Sequence, residues 1–313
     1  MRDLVVELAL GLRRHVLPFL GSHAARAHVH AGAGGDVTFE VDREAEDYLE
    51  HFLAEHAPSV AFYSEDRGLV RPAEEAETVL IVDPIDGTRP ALAGLESACV
   101  SVAAAPLGDG APCMADVHTG CIAEIKSGAV FVAERGSGIE IRDPDGGPGS
   151  PVLSENTDIE CLFWTLGFRG RPALPLIRVL EELIDASSVG GGVFDLGSAT
   201  YDMTRIVTGQ LDAYIDVGPR MIDEEPALKE KFEAVGGGAV LNNSPYDLAA
   251  AVLCLEEAGA VVTDASGRPL GSRPLLGSGH DFQMSCLAAS NGEIHGRVLE
   301  VLDRGFARIG RCR

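Results

Sequence analysis

Basic residues are scarce in this 313-residue chain: 25 Lys and Arg stand against 48 Asp and Glu, and the formal net charge is −23. A field of this sign repels a polyphosphate backbone, so the composition argues against a nucleic-acid partner. An anionic ligand can be held only where cations, backbone N–H groups or a metal ion reverse the field locally. The charge balance therefore suits a metal-dependent protein.

Paired cysteines and long apolar runs are also lacking. The chain has seven cysteines, at positions 99, 113, 121, 161, 254, 286 and 312. They form no C-x-x-C pair and are odd in number, which disfavours a disulfide framework or a zinc ribbon. Charged residues from Glu7 to Arg14 interrupt the N-terminal segment, so it does not read as a signal peptide. No run of about 18 apolar residues is present to span a membrane, and we predict a cytoplasmic protein with reduced thiols and no membrane partner.

Hydrophobic periodicity predicts a layered α/β protein in two parts. Two amphipathic helices open the chain, over residues 4–19 and 45–56, and short β-like segments follow, one of them over residues 114–117. The turn-rich stretch 143–151 predicts a surface linker between an N-terminal α+β half, 1–150, and a C-terminal α/β half, 151–313, in which strands and helices alternate.

The segment 79–88, Val-Leu-Ile-Val-Asp-Pro-Ile-Asp-Gly-Thr, is the most informative part of the chain. An apolar strand leads into Asp83, Pro84 bends the chain, and Asp86 follows three residues later, so two carboxylates converge at one strand end. Oxygen-rich clusters of this kind suit hard divalent cations, magnesium above all. Gly87 lets the backbone approach a ligand, and the N–H groups there can form an anion nest. A plain turn is the alternative interpretation, because all these residues are turn formers.

Together with three further segments, this motif resembles the inositol monophosphatase superfamily, whose members are magnesium-dependent, lithium-sensitive phosphomonoesterases. Residues 83–88 are similar to the first signature of that family, and Ser64-Glu65-Asp66 is similar to the acidic pair upstream of it. Residues 244–251 with 255–264 resemble the second signature, and residues 197–200 with 211–214 resemble the segment between the two. The resemblance implies an inositol-monophosphatase-like αβαβα sandwich and a homodimer.

The resemblance also implies a magnesium site with two or three Mg²⁺ ions. Glu65, Asp83 and the Ile85 carbonyl would hold one ion, while Asp83, Asp86 and Asp247 would hold a second. Each carboxylate has an ordinary structural alternative. Asp247 lies in the first turn of a predicted helix, where the macrodipole favours a negative charge, and Glu65 suits a solvated loop.

The same family pattern places Thr88, Asp42, Glu65 and Asp83 as the catalytic residues. In it Asp42 orients Thr88, which together with a metal ion activates the attacking water. The alternative for Asp42 is a helix N-cap, because it precedes a predicted helix.

Substrate contacts are predicted at Gly87, Thr88, Ser198, Asp216 and Arg220. Asp216 fills the family position of a substrate-hydroxyl acceptor, with an ordinary strand-end acid as the alternative. Residues 218–243 are a longer segment than family members typically show, and we expect a lid that offers Arg220, Lys229 and Lys231 to an anionic group. The alternative is that these cations pair with acidic neighbours on a solvated helix.

The chain departs from the inositol-phosphate branch of the family where substrate choice would be set. Phe194 stands where that branch has Arg, Tyr246 replaces the usual Trp, and Arg89 follows Thr88 as in histidinol-phosphatase-like relatives. The sequence thus predicts a magnesium-dependent phosphomonoesterase that hydrolyses a small sugar or polyol phosphate, a phosphorylated metabolite, by a metal-activated water. The enzyme alternatives are a fructose-1,6-bisphosphatase or nucleotide 3′-phosphatase type of bisphosphatase and a histidinol-phosphatase-like enzyme. The non-enzyme alternative is a catalytically inactive binding protein of the same fold.

Overall fold

Helices and β-sheets alternate in five layers in a computed structural model that describes residues 1–22, 28–31, 37–73, 75–108 and 110–309. The helices are α1 (Arg2–Val16), α2 (Glu40–His56), α3 (Thr88–Ala93), α4 (Ala173–Ala186), α5 (Ala199–Val207), α6 (Gly218–Glu224), α7 (Lys229–Val235), α8 (Pro245–Ala258) and α9 (Gly292–Ile309). The strands are β1 (His28–Ala31), β2 (Val37–Phe39), β3 (Ala61–Ser64), β4 (Gly68–Val70), β5 (Thr78–Asp86), β6 (Cys99–Pro106), β7 (Thr119–Glu124), β8 (Val130–Glu134), β9 (Gly138–Arg142), β10 (Pro148–Gly149), β11 (Phe163–Leu166), β12 (Gly192–Phe194), β13 (Ala213–Asp216), β14 (Val261–Thr263) and β15 (Cys286–Ala289).

Two large sheets carry the architecture. The first has the order β10-β9-β8-β7-β6-β5-β3-β4 and is antiparallel except for the parallel pair β3 and β5. The second has the order β12-β11-β13-β15-β14, in which β11 runs parallel to both β12 and β13. Because the carboxyl ends of parallel strands meet at one edge of a sheet, residues that follow β3 and β5 are brought together.

Three apolar cores separate the layers. One lies between the first sheet and the helices α1 and α2, and includes Leu8 and Leu49. A central core joins both sheets to α5 and α8. The third core packs α4, α9 and α7 on the outer face of the second sheet, around the fully buried Trp164. The layers therefore follow the order αβαβα, and the predicted layered α/β class is confirmed. Within the described ranges, no helix is long and apolar enough to cross a membrane.

Two local predictions differ from the structure. Residues 114–116 form a 3₁₀ turn rather than a β-strand, because the Asp116 carboxylate accepts a hydrogen bond from the backbone N–H of Cys113 at 2.8 Å. The predicted linker 143–151 contains β10, which pairs with β9. Helix α8, from the second half of the chain, packs against strands β5 to β8 of the first sheet. The two halves therefore share the central core.

Small residues let α8 lie close to the first sheet. A Cβ atom built on Gly120 of β7 would lie 3.2 Å from the Cα atom of Ala250 and 3.3 Å from its carbonyl oxygen. Ala249, Ala250 and Ala251 are all buried at this contact. The close approach of α8 places the first turn of the helix, and with it Asp247, near the end of β5.

We expect Gly120→Val to destabilise the protein by about 1–3 kcal/mol, because the added methyl groups would press on the backbone of α8 in a closely packed core. Chemical denaturation measures the loss. Gly279→Val is the matched control, since a Cβ at the exposed Gly279 meets nothing within 4 Å. Equal stability of the two variants would show that α8 does not depend on a small residue at this contact.

Candidate active site

A β-bulge in β5 brings Asp83 and Asp86 to the same side. In a regular strand, side chains three residues apart point to opposite faces of the sheet. Here Asp83 pairs with Ser101 and Asp86 pairs with Cys99, so that two residues of β5 lie opposite the single residue Val100 of β6. The extra residue reverses the alternation of side chains between the two faces of the sheet. Pro84 lies within the bulge, where its missing N–H removes no hydrogen bond between β5 and β6. Both carboxylates can therefore enter one cluster.

Helix α8 supplies the third carboxylate of the cluster. One carboxylate oxygen from each of Asp83, Asp86 and Asp247 lies within 4.8 Å of the others. Asp247 is also part of a capping box, because its Oδ2 accepts a hydrogen bond from the backbone N–H of Ser244. The Asp247 side chain thus caps the N-terminus of α8 and also belongs to the acidic cluster.

Burial and mutual repulsion make this cluster electrostatically costly. Desolvation raises the pKa of Asp83 well above its usual range, and the negative charges of Asp86, Glu65 and Asp247 raise it further. Desolvation, followed by repulsion from Asp86, raises the pKa of Asp247 to about 7. A hard divalent cation with a preference for carboxylate ligands offsets both effects, so the donor set fits Mg²⁺.

The N-terminus of α5 holds Asp86 in place. Its Oδ2 accepts hydrogen bonds from the Ser198 hydroxyl at 2.7 Å and from the Thr200 backbone N–H at 2.6 Å. The Ser198 oxygen in turn accepts the backbone N–H of Tyr201 at 3.1 Å. Ser198, which the sequence predicts as a substrate contact, lines the cavity beside the cluster. Its hydroxyl donates to Asp86 and therefore positions that carboxylate.

Glu65 follows β3 and lies beside the carboxyl end of β5, because Ser64 and Val82 are partners in the parallel pair. It lines a small cavity together with Asp42, Asp83 and Ile85. A second cavity joins Glu65 to Asp247. The structure thus brings the predicted metal-ligand residues to one region of the molecule.

Glu46 is a buried residue of this region that the sequence analysis does not single out. Its carboxylate accepts hydrogen bonds from the Ser64 hydroxyl at 2.7 Å and from the Asp66 backbone N–H at 3.2 Å, so it fastens both neighbours of Glu65. Burial raises the pKa of Glu46 to about 7. The available signal was its spacing of four residues from Asp42, which places both acids on the same face of α2.

The predicted catalytic pair lies at the starts of two helices. The Thr88 hydroxyl donates to the Ile85 carbonyl oxygen at 3.1 Å. Asp42 accepts the backbone N–H of Phe39 at 2.8 Å and occupies the third position of α2 rather than its N-cap. Gly87 has φ 88°, and a Cβ there would lie 2.6 Å from the Ser97 carbonyl oxygen. Glycine is therefore required at position 87 because the backbone of Ser97, rather than a ligand, approaches it closely.

Asp216 does not serve as an open hydroxyl acceptor. It is fully buried and forms an ion pair with the guanidinium of Arg171. Its Oδ1 also accepts the backbone N–H of Gly218 at 2.9 Å. The prediction of a substrate contact at Asp216 is corrected by these partners, which occupy its carboxylate.

The structure also places Arg220 away from the cluster. Its guanidinium pairs with Glu224 and Asp303, each at 2.8 Å, and lies 4.0 Å from the centroid of the Phe306 ring of α9. Lys229 pairs with Glu233 at 3.9 Å. Apolar residues of the segment join the outer core of the second sheet: Met221, Ile222, Leu228, Phe232 and Val240. The predicted lid is therefore a packed part of the outer layer, and Arg220 and Lys229 pair with acidic neighbours, as in the alternative interpretation.

Arg169 and the far end of the 218–243 segment are what reach the cluster. Arg169 and Asn242 line both the cavity beside Asp86 and the cavity beside Glu65. Phe194, at the family position of an arginine, is exposed on β12 and stacks on Phe163 at 6.4 Å. The sequence did contain a signal for Arg169, since Arg-Gly-Arg follows an apolar strand in an acidic chain.

Comparisons with known proteins agree with this geometry. A family model described as the inositol monophosphatase family matches residues 2–305. A Methanothermobacter thermautotrophicus protein named fructose-1,6-bisphosphatase/inositol-1-monophosphatase is 26% identical over 307 residues, which cover 96% of each chain. A Mesorhizobium japonicum protein named inositol-1-monophosphatase is 28% identical over 233 residues, 74% of each chain. The solved structure of the extragenic suppressor protein SuhB from Bartonella henselae has the same fold, with a TM-score of 0.70 at 22% identity over 97% of this chain and 98% of that one. This chain belongs to the inositol monophosphatase family.

Proposed function

We propose that this phosphoric monoester hydrolase releases phosphate from a small sugar or polyol phosphate and that it depends on Mg²⁺. The observation that carries the proposal is the cluster of Asp83, Asp86 and Asp247, whose carboxylate oxygens lie within 4.8 Å of one another at the two family signatures. Clustered carboxylates whose pKa is raised by desolvation and by a neighbouring carboxylate, as for Asp83 and Asp247, are typical of sites that bind a cation or carry out chemistry.

The proposed ligand set uses two groups of residues that share Asp83. Asp83, Asp86 and Asp247 hold one Mg²⁺, while Glu65, Asp83 and the Ile85 carbonyl hold another. Bound Mg²⁺ supplies charge neutralisation for the phosphate oxygens and lowers the pKa of the attacking water. Glu46 positions Glu65 through Ser64 and Asp66, and Ser198 positions Asp86.

Thr88 and Asp42 are the proposed pair that orients the attacking water. The Thr88 hydroxyl already lies within hydrogen-bond distance of the Ile85 carbonyl, and Asp42 shares a cavity with Ile85 and Asp83. In the proposal, the Thr88 hydroxyl turns from the Ile85 carbonyl to donate to Asp42, and the Thr88 oxygen accepts a hydrogen bond from the water. Backbone N–H groups of Gly87 and Thr88 hold the phosphate oxygens.

The substrate and the setting remain part of the proposal. The archaeal relative is named for both a bisphosphate and a monophosphate substrate, so the bisphosphatase alternative is kept beside the monoesterase. All six cysteines within the described ranges are free thiols, in keeping with a reducing cytoplasm, and Cys312 lies outside those ranges. A homodimer is proposed from the family resemblance, and sedimentation velocity tests it.

Asp83→Asn is expected to lower kcat for phosphate release by ~10³ or more, because the shared carboxylate serves both ion sites and each electrostatic contact in such a site is worth ~10² to 10³. Asp223→Asn, on the exposed face of α6, is the control. Full activity of the wild-type protein in EDTA would sink the proposal. The same phosphate-release assay with added lithium tests the inhibition that the family resemblance implies.

The stability of the metal-free protein should fall as the pH rises. The folded-state pKa of Asp247 is raised to about 7, above an unfolded value of about 4, so the folded protein binds the proton more tightly. The resulting stabilisation is fully present below pH ~4 and is lost as the pH rises through ~7. Thermal unfolding in EDTA between pH 5 and 8 should show a decreasing Tm, with a shallower slope for Asp247→Asn. Added Mg²⁺ should raise Tm most at pH 8, and identical slopes for the two proteins would contradict the assignment.

Thr88→Ala and Asp42→Asn should each lower kcat while leaving Mg²⁺ affinity nearly unchanged, since neither residue is a proposed ligand. Asn at position 42 retains an acceptor for the Phe39 N–H, so helix α2 should keep its cap. Residues that act as one unit have non-additive effects, and the double variant should be little worse than the poorer single variant. If the losses in kcat of the two single variants multiply in the double variant, the two residues act independently, which would contradict the proposed pair. Calorimetry with Mg²⁺ supplies the affinity control.

A further inference from the structure

We propose that Phe39 and Arg89 are positioning residues that hold the start of α2 against the start of α3, and that their contact sets how Asp42 and Thr88 meet at the attacking water. In this role neither side chain touches the substrate. The inference rests on the proposed function, and it adds the two side chains through which the proposed Asp42 and Thr88 pair is aligned.

Phe39 holds Asp42 directly. It is the residue before the first turn of α2, and its backbone N–H donates to Asp42 Oδ2 at 2.8 Å. This hydrogen bond fixes one carboxylate oxygen and with it the direction of the Asp42 side chain. The Phe39 ring is 7% exposed and belongs to the same apolar core as Ile85 and Leu92. A displacement of Phe39 therefore displaces Asp42.

Arg89 reaches Phe39 from the other helix. It directly follows Thr88 in the first turn of α3, and its side chain is exposed. The central carbon of its guanidinium lies 5.6 Å from the centroid of the Phe39 ring. A cation at this distance from an aromatic ring is attracted by the ring quadrupole. The contact thus joins the residue that holds Asp42 to the chain neighbour of Thr88.

The backbone beside Phe39 is held by the loop that carries Glu65. The hydroxyl of the buried Thr38 donates to Asp66 Oδ1 at 2.7 Å. The backbone N–H of Asp66 donates in turn to Glu46 of α2 at 3.2 Å. The end of β2 is therefore fixed on the side of Glu65, and the Arg89 contact links this fixed point to α3.

The alignment matters because Thr88 has to change partner. Its hydroxyl donates to the Ile85 carbonyl oxygen in the structure, and in the proposed mechanism it turns to donate to Asp42. That turn succeeds only if the two helix starts keep a fixed separation. A cation–π contact at an exposed position contributes little to global stability, but a misplacement of ~1 Å in an active site can lower the rate by ~10². We therefore expect the contact to affect turnover more than folding.

A double-mutant cycle tests the proposal with para-nitrophenyl phosphate as substrate. Phe39→Leu keeps an apolar side chain and the backbone N–H but removes the ring, and Arg89→Gln removes the charge. Each should lower kcat by about three- to tenfold, with KM changed by less than about twofold. The double variant should be no worse than the poorer single variant, because the two side chains act through one contact. Arg89→Lys retains a cation and should keep most of the wild-type kcat.

A similar contact in the outer layer supplies the matched control. The guanidinium of Arg220 lies 4.0 Å from the centroid of the Phe306 ring, so Phe306→Leu removes a contact of the same kind away from the carboxylate cluster. This variant should leave kcat unchanged. A loss of activity caused only by lower stability would appear in both Phe→Leu variants in proportion to their loss of Tm.

Amide hydrogen exchange measured by NMR gives a readout that does not depend on turnover. The Phe39 N–H, which donates to Asp42, should exchange about threefold faster or more in Arg89→Gln than in wild type, because the start of α2 is held less firmly. The exchange rate of the same N–H should be unchanged in Phe306→Leu. Equal rates in Arg89→Gln and wild type would contradict the proposal.

The kinetic outcomes that would overturn the proposal are distinct from a failure of the proposed function. A raised KM for Arg89→Gln with unchanged kcat would mean that Arg89 contacts the substrate. Losses in kcat that multiply in the double variant, or no loss in either single variant, would show that the contact does not align the pair. If wild type with Mg²⁺ does not hydrolyse para-nitrophenyl phosphate, the proposed function is contradicted, and the exchange rates alone decide whether Arg89 positions Asp42.

Discussion

Repulsion between buried carboxylates is the constraint around which the rest of the structure is organised. Asp83, Asp86 and Asp247 come from two elements far apart in the sequence, and the charge of Asp86 raises the pKa of both Asp83 and Asp247. Such a cluster opposes folding unless packing elsewhere supplies the free energy. The three apolar cores supply it, and the contact of α8 with the first sheet is part of the central core.

The hydrogen bonds around the cluster divide its residues into those that face the site and those that hold them. Ser198 and Thr200 fix Asp86, and Glu46 fixes the two neighbours of Glu65. Supporting partners of this kind decide how well metal ligands are oriented. An Asp or Glu that faces the site and one that supports it have the same carboxylate group. Only their burial and their hydrogen-bond partners distinguish the two roles.

Local sequence pattern was sufficient for the acidic motif and for α8. Residues 83–88 combine a strand with turn formers, and Ser244-Pro245 before an apolar run marks the helix start that the structure shows. The bulge in β5 could not be predicted from the local sequence, because it depends on how β5 pairs with β6. Asp216 was misread for a similar reason, since its partner Arg171 is 45 residues away. Charges on residues 218–243 suggested a lid, but the apolar residues between them, such as Phe232, decide where the segment packs.

The clamp on Asp86 has a consequence for how the protein is made. Asp42, Glu65, Asp83 and Asp86 all emerge early during synthesis, whereas Ser198, Thr200 and Asp247 follow more than 100 residues later. A nascent N-terminal half therefore carries most of the acidic residues without the groups that orient them. Since domains form as their residues become available, the acidic cluster of Asp83, Asp86 and Asp247 is complete only when α5 and α8 pack between the two sheets. The order of synthesis therefore separates the two proposed ion sites, because the ligands proposed for one all lie before Gly87, while the other waits for Asp247.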